Sequence, residues 1–333
     1  MNKNIKKIAI VRLSALGDIV NSAVVLQFIK KNYPNTKIEW ITEEIFAPLL
    51  KLLPELSSVH TINLKKVKKK KSLKLLITTV QKINKLNDFD IIIDMQGLIK
   101  SAVVSRLIGK DTHGFDQSST RESIATFFYK STSHISYESN VLKRNAFIVS
   151  DALDFKISDE MLLNKKAIFP ISKEYTLSHE KKNIAFVIGA SWQSKIYPKE
   201  LISQLCNALQ ENAYIIWGSI EEKERAQWIV ENSIYASLAP SQSINELVSY
   251  ISAMDLLIGN DTGPSHIAWA QNIPSIVLFG PTTTRMIYET PKNIGLNSPS
   301  DVNILKINKN DHSIKEISSQ SIVTAAKELL YGL

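Results

Sequence analysis

The sequence predicts an α/β protein built from two doubly wound parallel sheets. Short β-branched segments alternate with longer amphipathic ones in the first half, and the same alternation starts again after residue 182. Strands joined through helices run parallel and are covered on both faces. The chain has 333 residues, more than a single core usually supports, which also favours two domains.

In the first half, each apolar run of strand length is followed by a helical pattern. Strands are predicted at 7–13, 37–42, 59–64 and 90–97, and helices at 18–33, 72–87 and 99–109. The first helix is expected to end before Pro34, which cannot continue it. The lysine run KKVKKKK (65–71) is typical of a solvated loop.

The second half repeats the pattern after a looser stretch near 156–182. Strands are predicted at 183–189, 213–218, 255–260 and 274–280, and helices at 198–212, 221–233, 244–254 and 321–332. We therefore expect a first domain at 1–165, a linker at 166–182 and a second domain at 183–315. The C-terminal segment, 316–333, is expected to pack back on the first domain.

The composition is that of a soluble globular protein, with 44% apolar and 22% charged residues. The single cysteine, Cys206, excludes an intramolecular disulfide. The N-terminus is basic and then apolar, but Arg12 and Asp18 interrupt the apolar run, so we expect no signal peptide. No run is long enough to span a membrane, and we expect a cytoplasmic protein.

The loop after the strand at 255–260 carries the most specific candidate site. An acid, a hydroxyl, a glycine and a proline follow the strand, and a histidine lies one turn into the next helix (Asp261, Thr262, Gly263, Pro264 and His266). Free amides at a helix start, with the positive end of the helix behind them, suit a phosphate or pyrophosphate. The amides expected to be free are those of Thr262, Gly263 and Ser265. The alternative is that Thr262 is only an N-cap and Asp261 a turn former.

The first strand-to-helix loop, RLSALGD (12–18), predicts a different task. It lacks the glycines of a dinucleotide fingerprint, and Asp18 would repel a phosphate. An acid in the first turn of a helix is held ionised by the helix dipole, so Asp18 is available to accept a proton. The alternative is ordinary helix N-terminal chemistry.

Two further loops offer weaker candidates. Ser191 and Lys195 follow the strand at 183–189, where a lysine could neutralise charge on a departing phosphate, although a solvated lysine is the simpler interpretation. Glu222 could hold a ribose hydroxyl, although a glutamate in a first helical turn is common. Asp88 and Asp90 match a D-x-D metal motif, but turn chemistry explains them, and we expect neither a metal nor another cofactor.

Four stretches together resemble the ADP-heptose:lipopolysaccharide heptosyltransferases, and most of all the heptosyltransferase I group. They are SALGD (14–18), DMQGLIKSAVVSRLIG (94–109), STRESIATFFY (119–129) and NDTGPSHIAWAQNIPSIVLFGPT (260–282). The resemblance implies an inverting GT-B-type glycosyltransferase with a cleft between two Rossmann-like domains. The first domain would bind the acceptor and the second ADP-heptose.

The resemblance also implies a role for individual residues. Asp18 falls on the proposed general base, and Lys195 on a lysine that contacts the donor phosphates. The expected donor-binding residues are Ser191, Lys195, Glu222, Gln242, Asp261, Thr262, Gly263 and His266. Ala190 replaces one of two consecutive threonines, and Gln242 stands where a methionine lies beside adenine. The expected acceptor-binding residues are Ser14, Gly17, Lys65, Lys66, Lys68, Arg121 and Arg144, together with Lys69 to Lys71.

The implied reaction is transfer of heptose from ADP-heptose to a Kdo residue of Kdo-lipid A at the inner membrane surface. A heptosyltransferase II that acts on an already heptosylated core is the alternative. No obligate protein partner and no nucleic acid are expected. A non-catalytic nucleotide or nucleic-acid binder is a rival that the net charge of +8 suggests, but the chain lacks arginine-rich or interleaved aromatic patches. If the lysine run faces an anionic bilayer, each lysine contributes about 1 kcal/mol.

Overall fold

The computed structural model describes residues 5–332. The chain divides after Lys165 into two compact units, each built around one six-stranded sheet. All strand pairs within the two sheets are parallel. The predicted fold class, two doubly wound α/β domains, is confirmed. None of the helices within residues 5–332 is long and apolar enough to cross a bilayer.

The first unit contains six strands in the order β3-β2-β1-β4-β5-β6. The strands are β1 (Lys7–Val11), β2 (Lys37–Glu43), β3 (Leu56–Ile62), β4 (Ile91–Asp94), β5 (Thr112–Phe115) and β6 (Ser131–Ser133). The helices are α1 (Leu16–Ala23), α2 (Leu26–Asn32), α3 (Ala47–Leu50), α4 (Leu64–Lys70), α5 (Leu73–Asn84), α6 (Ile99–Ile108), α7 (Val141–Leu153) and α8 (Asp159–Leu163). The central strands β1 and β4 are almost wholly buried, as expected of strands covered on both faces.

The second unit repeats this topology, with the order β12-β11-β10-β7-β8-β9. Its strands are β7 (Asn183–Val187), β8 (Asn212–Ile216), β9 (Ala236–Leu238), β10 (Leu256–Asn260), β11 (Ser275–Phe279) and β12 (Asn293–Asn297). Its helices are α9 (Lys199–Leu209), α10 (Ile220–Glu231), α11 (Ile244–Ser252), α12 (Gly263–Ala270) and α13 (Ser319–Tyr331). The strand order reverses between β1 and β4 in the first unit and between β7 and β10 in the second. Such a switch point leaves a crevice at the carboxyl ends of the two strands.

The C-terminal helix α13 belongs to the core of the second unit. Its side chains Ile322, Val323 and Ala326 are buried in the same apolar cluster as Leu205 of α9. The hydroxyl of Tyr197 donates to the carbonyl of Ile317 at 2.8 Å, just ahead of the helix. The buried apolar face of this segment is thus satisfied within the second unit, and the expected packing on the first domain stays a prediction.

Several elements differ from the pattern in the sequence. The helix expected at 18–33 is two helices, α1 and α2, and the short strands β5, β6, β9 and β12 were not predicted. The lysine run is not a loop, since Leu64–Lys70 forms α4. Its N-terminus is capped by the side chain of Asn63, which accepts a hydrogen bond from the amide of Lys66 at 2.9 Å.

Gly259 lies in the central strand β10, where a side chain has no room. A Cβ atom at this position would lie 2.6 Å from Cβ of Val187 and 3.0 Å from its carbonyl oxygen in the paired strand β7. We expect Gly259→Ala to lower the free energy of unfolding by about 1–3 kcal/mol through overpacking. Urea denaturation followed by circular dichroism measures the change. Gly218→Ala is the control, because its Cβ meets only Glu222 Oε2, at 3.4 Å, and an equal loss in both variants would contradict the prediction.

Candidate active site

The candidate residues lie on loops at the two points where a strand order reverses. In the first unit these loops follow β1 and β4, and in the second they follow β7 and β10. Ligands of doubly wound sheets bind beyond the carboxyl ends of such strands. The two units thus each present a candidate site at the position that the topology favours.

Asp261 is the centre of a buried polar cluster at the end of β10. Its side chain is 4% exposed, and Oδ2 accepts hydrogen bonds from Lys195 Nζ at 2.6 Å and Thr282 Oγ1 at 2.9 Å. Nε2 of His266 lies 3.3 Å from Oδ1. Burial by itself raises the pKa of Asp261, but the positive charge of Lys195 and the hydrogen bond from His266 outweigh burial and hold the pKa well below its usual value. The carboxylate is therefore ionised, and its charge is balanced locally.

The N-terminus of α12 follows Asp261 directly. Thr262 is the N-cap residue with extended backbone, but its hydroxyl makes no capping hydrogen bond. Thr262 is thus the N-cap residue by position, as the alternative interpretation has it, but its hydroxyl is not used as a cap. The amide of Ser265 is not free, because it donates to the carbonyl of Thr262 at 3.1 Å. An anion at this helix start would instead meet the amide of Gly263 and the hydroxyl of Thr262.

Lys195 is held by its own loop as well as by Asp261. It ends a short 3-10 helix, Gln193–Lys195, and its Nζ lies 5.5 Å from the ring centroid of Trp192. Nζ of Lys309 lies 4.8 Å from the same centroid. Trp192 and Lys309 were not among the predicted residues, although an aromatic residue in a loop leaving a central strand is a usable signal.

Glu222 lies at the carboxyl ends of β7 and β8. Its Oε2 accepts a hydrogen bond from the amide of Gly218 at 2.7 Å. Its carboxylate also packs against Gly189, where an added Cβ would be 2.1 Å from Oε1. Because only a glycine permits this approach, Gly189 places the carboxylate beside the loop that carries Ser191 and Lys195.

Ser191 and Gln242 complete the predicted donor set. Ser191 is exposed on the loop after β7. Nε2 of Gln242 is buried, and no hydrogen-bond partner for it lies within residues 5–332. A buried amide nitrogen without a partner is uncommon in a folded protein and marks Gln242 as a residue that a ligand could satisfy after a side-chain rotation.

Asp18 lies in the first turn of α1 and is paired with Arg12. The Oδ1–Nη2 distance is 2.8 Å, and the Asp18 side chain keeps 27% of its surface exposed. Oδ2 accepts a hydrogen bond from the amide of Ala15 at 3.2 Å. Arg12 is itself buried and donates through Nη1 to the carbonyl of Met95. The sequence did not identify Arg12, although a charged residue at the end of a buried strand was the available signal.

Ser14 connects the loop after β1 with the loop after β4. Its Oγ accepts hydrogen bonds from Lys100 Nζ at 3.1 Å and from Gln96 Nε2 at 3.4 Å. Gln96 Oε1 in turn accepts from the amide of Leu13 at 2.9 Å. Partial desolvation lowers the pKa of Lys100, and the nearby carboxylate of Glu43 opposes that shift. Gln96, Lys100 and Glu43 were not among the predicted residues.

Asp94 fixes the conformation of the loop after β4. Its buried carboxylate accepts hydrogen bonds from the amides of Gln96 at 2.8 Å and Gly97 at 3.2 Å and from the hydroxyl of Tyr129 at 2.7 Å. Burial raises the pKa of Asp94 despite these bonds. Gly97 has φ +66°, and a Cβ there would lie 2.9 Å from the ring of Phe115. The DMQG motif therefore places Gln96 through a conformation that needs glycine.

The predicted acceptor-binding residues have different surroundings. Lys65, Lys66 and Lys68 are on α4 or its first turn and reach solvent, as does Arg121. Gly17 is buried within α1. Arg144 is wrong as an acceptor contact: it is 7% exposed, and its guanidinium donates to three main-chain carbonyls, those of Ser119, Ile135 and Ser136. The burial gives this cation a structural role.

The D-x-D motif has a structural explanation. Oδ2 of Asp90 accepts hydrogen bonds from the amides of Lys6 at 2.7 Å and Lys7 at 2.8 Å and so closes the turn before β4. No group of three or more His, Cys, Asp or Glu side chains in the described part of the chain could hold a metal ion.

Two Rossmann-like units with polar clusters at their switch points are the arrangement of a two-domain, nucleotide-binding α/β protein. The model of glycosyltransferase family 9 (heptosyltransferase) matches residues 79–320. The chain belongs to this family, and it is a glycosyltransferase of the expected GT-B type.

A sequence relative agrees with this assignment, and two solved structures share the fold. The chain is 36% identical to lipopolysaccharide heptosyltransferase 1 of Campylobacter coli, over 97% of this chain and 98% of that protein. The structure of the Escherichia coli heptosyltransferase WaaC with ADP-2-deoxy-2-fluoro heptose has a TM-score of 0.79 at 21% identity, covering 97% of this chain and 99% of that one. E. coli ADP-heptose lps heptosyltransferase II has a TM-score of 0.68 at 17% identity, covering 98% and 99% of the two chains.

The pairing of Lys195 with Asp261 predicts a coupling that can be measured. Lys195→Met leaves an ionised carboxylate buried without its cation, so the free energy of unfolding falls by about 3–5 kcal/mol. Asp261→Asn in the same chain removes that charge, so the double variant is expected to recover part of the loss. Urea denaturation at pH 7 measures all the variants.

The exposed Lys292→Met is the control and is expected to change stability by less than about 0.5 kcal/mol.

The depressed pKa of Asp261 also predicts how the free energy of unfolding depends on pH. Its contribution to wild-type stability is present above the ordinary aspartate pKa, about 3.9, and is lost as the pH falls below that value. If the losses of unfolding free energy caused by Lys195→Met and Asp261→Asn were strictly additive in the double variant, the pairing would be contradicted.

Proposed function

We propose that this protein transfers heptose from ADP-heptose to a Kdo residue of Kdo-lipid A, with inversion at the anomeric carbon. The observation that carries the proposal is the buried Lys195–Asp261–His266 cluster beside a helix start, in a chain 36% identical to a lipopolysaccharide heptosyltransferase 1 along almost its whole length. We further propose that it acts as a peripheral protein at the cytoplasmic face of the inner membrane.

The second unit is proposed to bind the donor. One N–H of the Lys195 ammonium is used by Asp261, which leaves two for phosphate oxygens. The Gly263 amide and the Thr262 hydroxyl add neutral donors at the positive end of α12. This set is preorganised for a diphosphate, because a leaving ADP gains negative charge as the bond to the sugar breaks.

The nucleoside is proposed to lie over the carboxyl ends of β7 and β8. Glu222, fixed there by Gly189 and Gly218, is suited to accept hydrogen bonds from ribose hydroxyls. The unpartnered Nε2 of Gln242 can donate to a ring nitrogen of adenine, where a methionine would offer only an apolar contact. Ser191 is exposed and contributes a hydroxyl to the same loop.

The first unit is proposed to bind the acceptor and to supply the base. Arg12 holds the Asp18 carboxylate in place through one oxygen, while part of the side chain stays open to solvent. Ser14, to which Lys100 donates, lies in the same loop and is proposed to contact the acceptor sugar. Arg121 and the lysines of α4 are proposed to offer positive charge to the carboxylates and phosphates of the acceptor.

The chemistry of the proposed step balances without a further reagent. The acceptor hydroxyl oxygen forms a bond to the anomeric carbon of heptose from the face opposite the diphosphate, and the bond from that carbon to the β-phosphate oxygen breaks. The hydroxyl proton passes to Asp18. The electron pair leaves with ADP, whose charge Lys195 and the start of α12 stabilise.

The direct test is mass spectrometry of Kdo-lipid A incubated with the purified protein and ADP-heptose. We expect a mass increase of one heptose, and a prior heptose on the acceptor should abolish or strongly reduce the reaction. Transfer only to an acceptor that already carries the first heptose would identify the alternative, heptosyltransferase II activity. Absence of transfer to both acceptors would overturn the proposed function.

Asp18→Ala tests the role of the base. Losing the proton acceptor is expected to lower turnover about 10²–10⁴-fold, while the affinity for ADP-heptose, measured by calorimetry, stays within a few-fold. Asp18→Asn separates charge from shape and should be equally inactive. The exposed Asp154→Ala serves as the control, and more than a tenth of wild-type turnover in Asp18→Ala would remove Asp18 from this role.

A further inference from the structure

The positive charge of the chain is concentrated in one segment. Between Glu55 and Asp88 the sequence contains nine lysines and no acidic residue, while the whole chain has a net charge of only +8. The rest of the protein is thus almost neutral. This segment comprises β3, α4 and α5, and the lysines of α4 all reach solvent.

The same segment leaves an apolar helix face uncovered. Leu73, Leu76 and Ile77 of α5 are 70%, 42% and 48% exposed. Their spacing puts them on one face of the helix. Ile83, two turns after Leu76 along the same stripe, is buried in the core cluster of the first unit, so α5 is anchored near its C-terminal end while its first turns leave these three apolar side chains open to solvent. Single exposed apolar residues are ordinary, but three on one face next to a lysine cluster indicate an interaction surface.

The basic helix begins at the rim of the candidate acceptor site. The carboxylate of Glu43 lies close to the start of α4, where the charge of Lys65 and the amides of Leu64 and Lys65 oppose the rise in its pKa that burial causes. The same carboxylate attracts Lys100, which donates to Ser14 in the loop of Asp18. A ligand surface that covers α4 and α5 would therefore reach the edge of this site.

We propose that α4 and the Leu73, Leu76 and Ile77 face of α5 form a docking surface for an anionic phospholipid bilayer. The lysines lie at the level of the headgroups, and the three apolar side chains enter the boundary between headgroups and acyl chains. A polynucleotide would match the lysines but would leave the apolar face unused, so the combination favours a lipid surface. The surface does not depend on which sugar the enzyme transfers.

Co-sedimentation with lipid vesicles tests the surface. The vesicles contain phosphatidylglycerol and phosphatidylethanolamine, or phosphatidylcholine alone, and no lipopolysaccharide. We expect the wild-type protein to partition at least tenfold more strongly to the anionic vesicles, and the difference to shrink as salt is raised. Weak partitioning to both kinds of vesicle would overturn the proposal.

Two triple variants separate the apolar and charged contributions. L73S/L76S/I77S and K69Q/K70Q/K74Q are each expected to lower partitioning to anionic vesicles at least tenfold. The matched controls are L163S/I234S/L305S, at residues 53%, 91% and 61% exposed, and K292Q/K306Q/K327Q, at exposed lysines elsewhere. The controls should bind as the wild type does. Full binding by L73S/L76S/I77S, or equal losses in a control, would contradict the assigned surface.

A fluorescent label reports insertion directly. Cys206 is 1% exposed, so a cysteine introduced by L76C can be labelled selectively with an environment-sensitive dye. We expect a blue shift on anionic vesicles for L76C and none for L305C. An unshifted L76C spectrum on vesicles that bind the protein would rule out insertion of this face. L73S/L76S/I77S should keep wild-type transfer to a deacylated, water-soluble acceptor, so a failure of docking is distinguishable from a failure of the proposed function.

Discussion

A buried carboxylate at the end of β10 organises the site of the second unit. An ionised aspartate in the interior loses several kcal/mol of hydration, which only close partners can offset. Asp261 obtains them from Lys195 after β7, Thr282 after β11 and His266 in α12. One charge therefore ties together the loops at the carboxyl ends of three neighbouring strands, and a lysine is held in place before any ligand arrives.

The pairing also explains how an acid can belong to a site for a diphosphate. A free carboxylate would repel phosphate, but the charge of Asp261 is matched by Lys195. What a ligand meets is an oriented set of N–H and O–H donors rather than excess charge. The first unit uses the same device, since Arg12 is balanced by Asp18 and by the carbonyl of Met95. In both units an ion pair thus holds the charged side chains of the candidate site in a fixed orientation.

The sequence predicts the centre of each sheet but misses three of the four edge strands, β6, β9 and β12. The central strands β1, β4, β7 and β10 are continuous apolar runs, and such runs identify strands without knowledge of their neighbours. The edge strands β6 and β9 have three residues each, and half or more of each is solvent-exposed or only partly buried. Their conformation comes from pairing with β5 and β8, which a local pattern does not contain.

In the candidate site, too, residues that are neighbours in the sequence could be predicted, whereas residues that only the fold brings together could not. The loop from Asp261 to His266 carries its chemistry in consecutive residues, so the sequence alone indicates an anion site. Lys100, in contrast, acts on Ser14 from 86 positions away, and no spacing rule connects them. The prediction that Arg144 contacts the acceptor fails because this residue is buried. Charged residues are usually exposed, but a guanidinium with five donors can be buried wherever main-chain carbonyls converge.

Repulsion between the lysines of α4 lowers the stability of that helix. Like charges three or four residues apart destabilise a helix by a few tenths of a kcal/mol per pair, and Lys65 with Lys69 and Lys66 with Lys70 are such pairs. The helix contains no acidic residue to relieve them, and its stabilising features are the Asn63 cap and its contact with α5. Folding alone gives no reason for such a composition. A helix that is unfavourable in the isolated protein and favourable next to negative charge fits a binding surface better than a structural spacer.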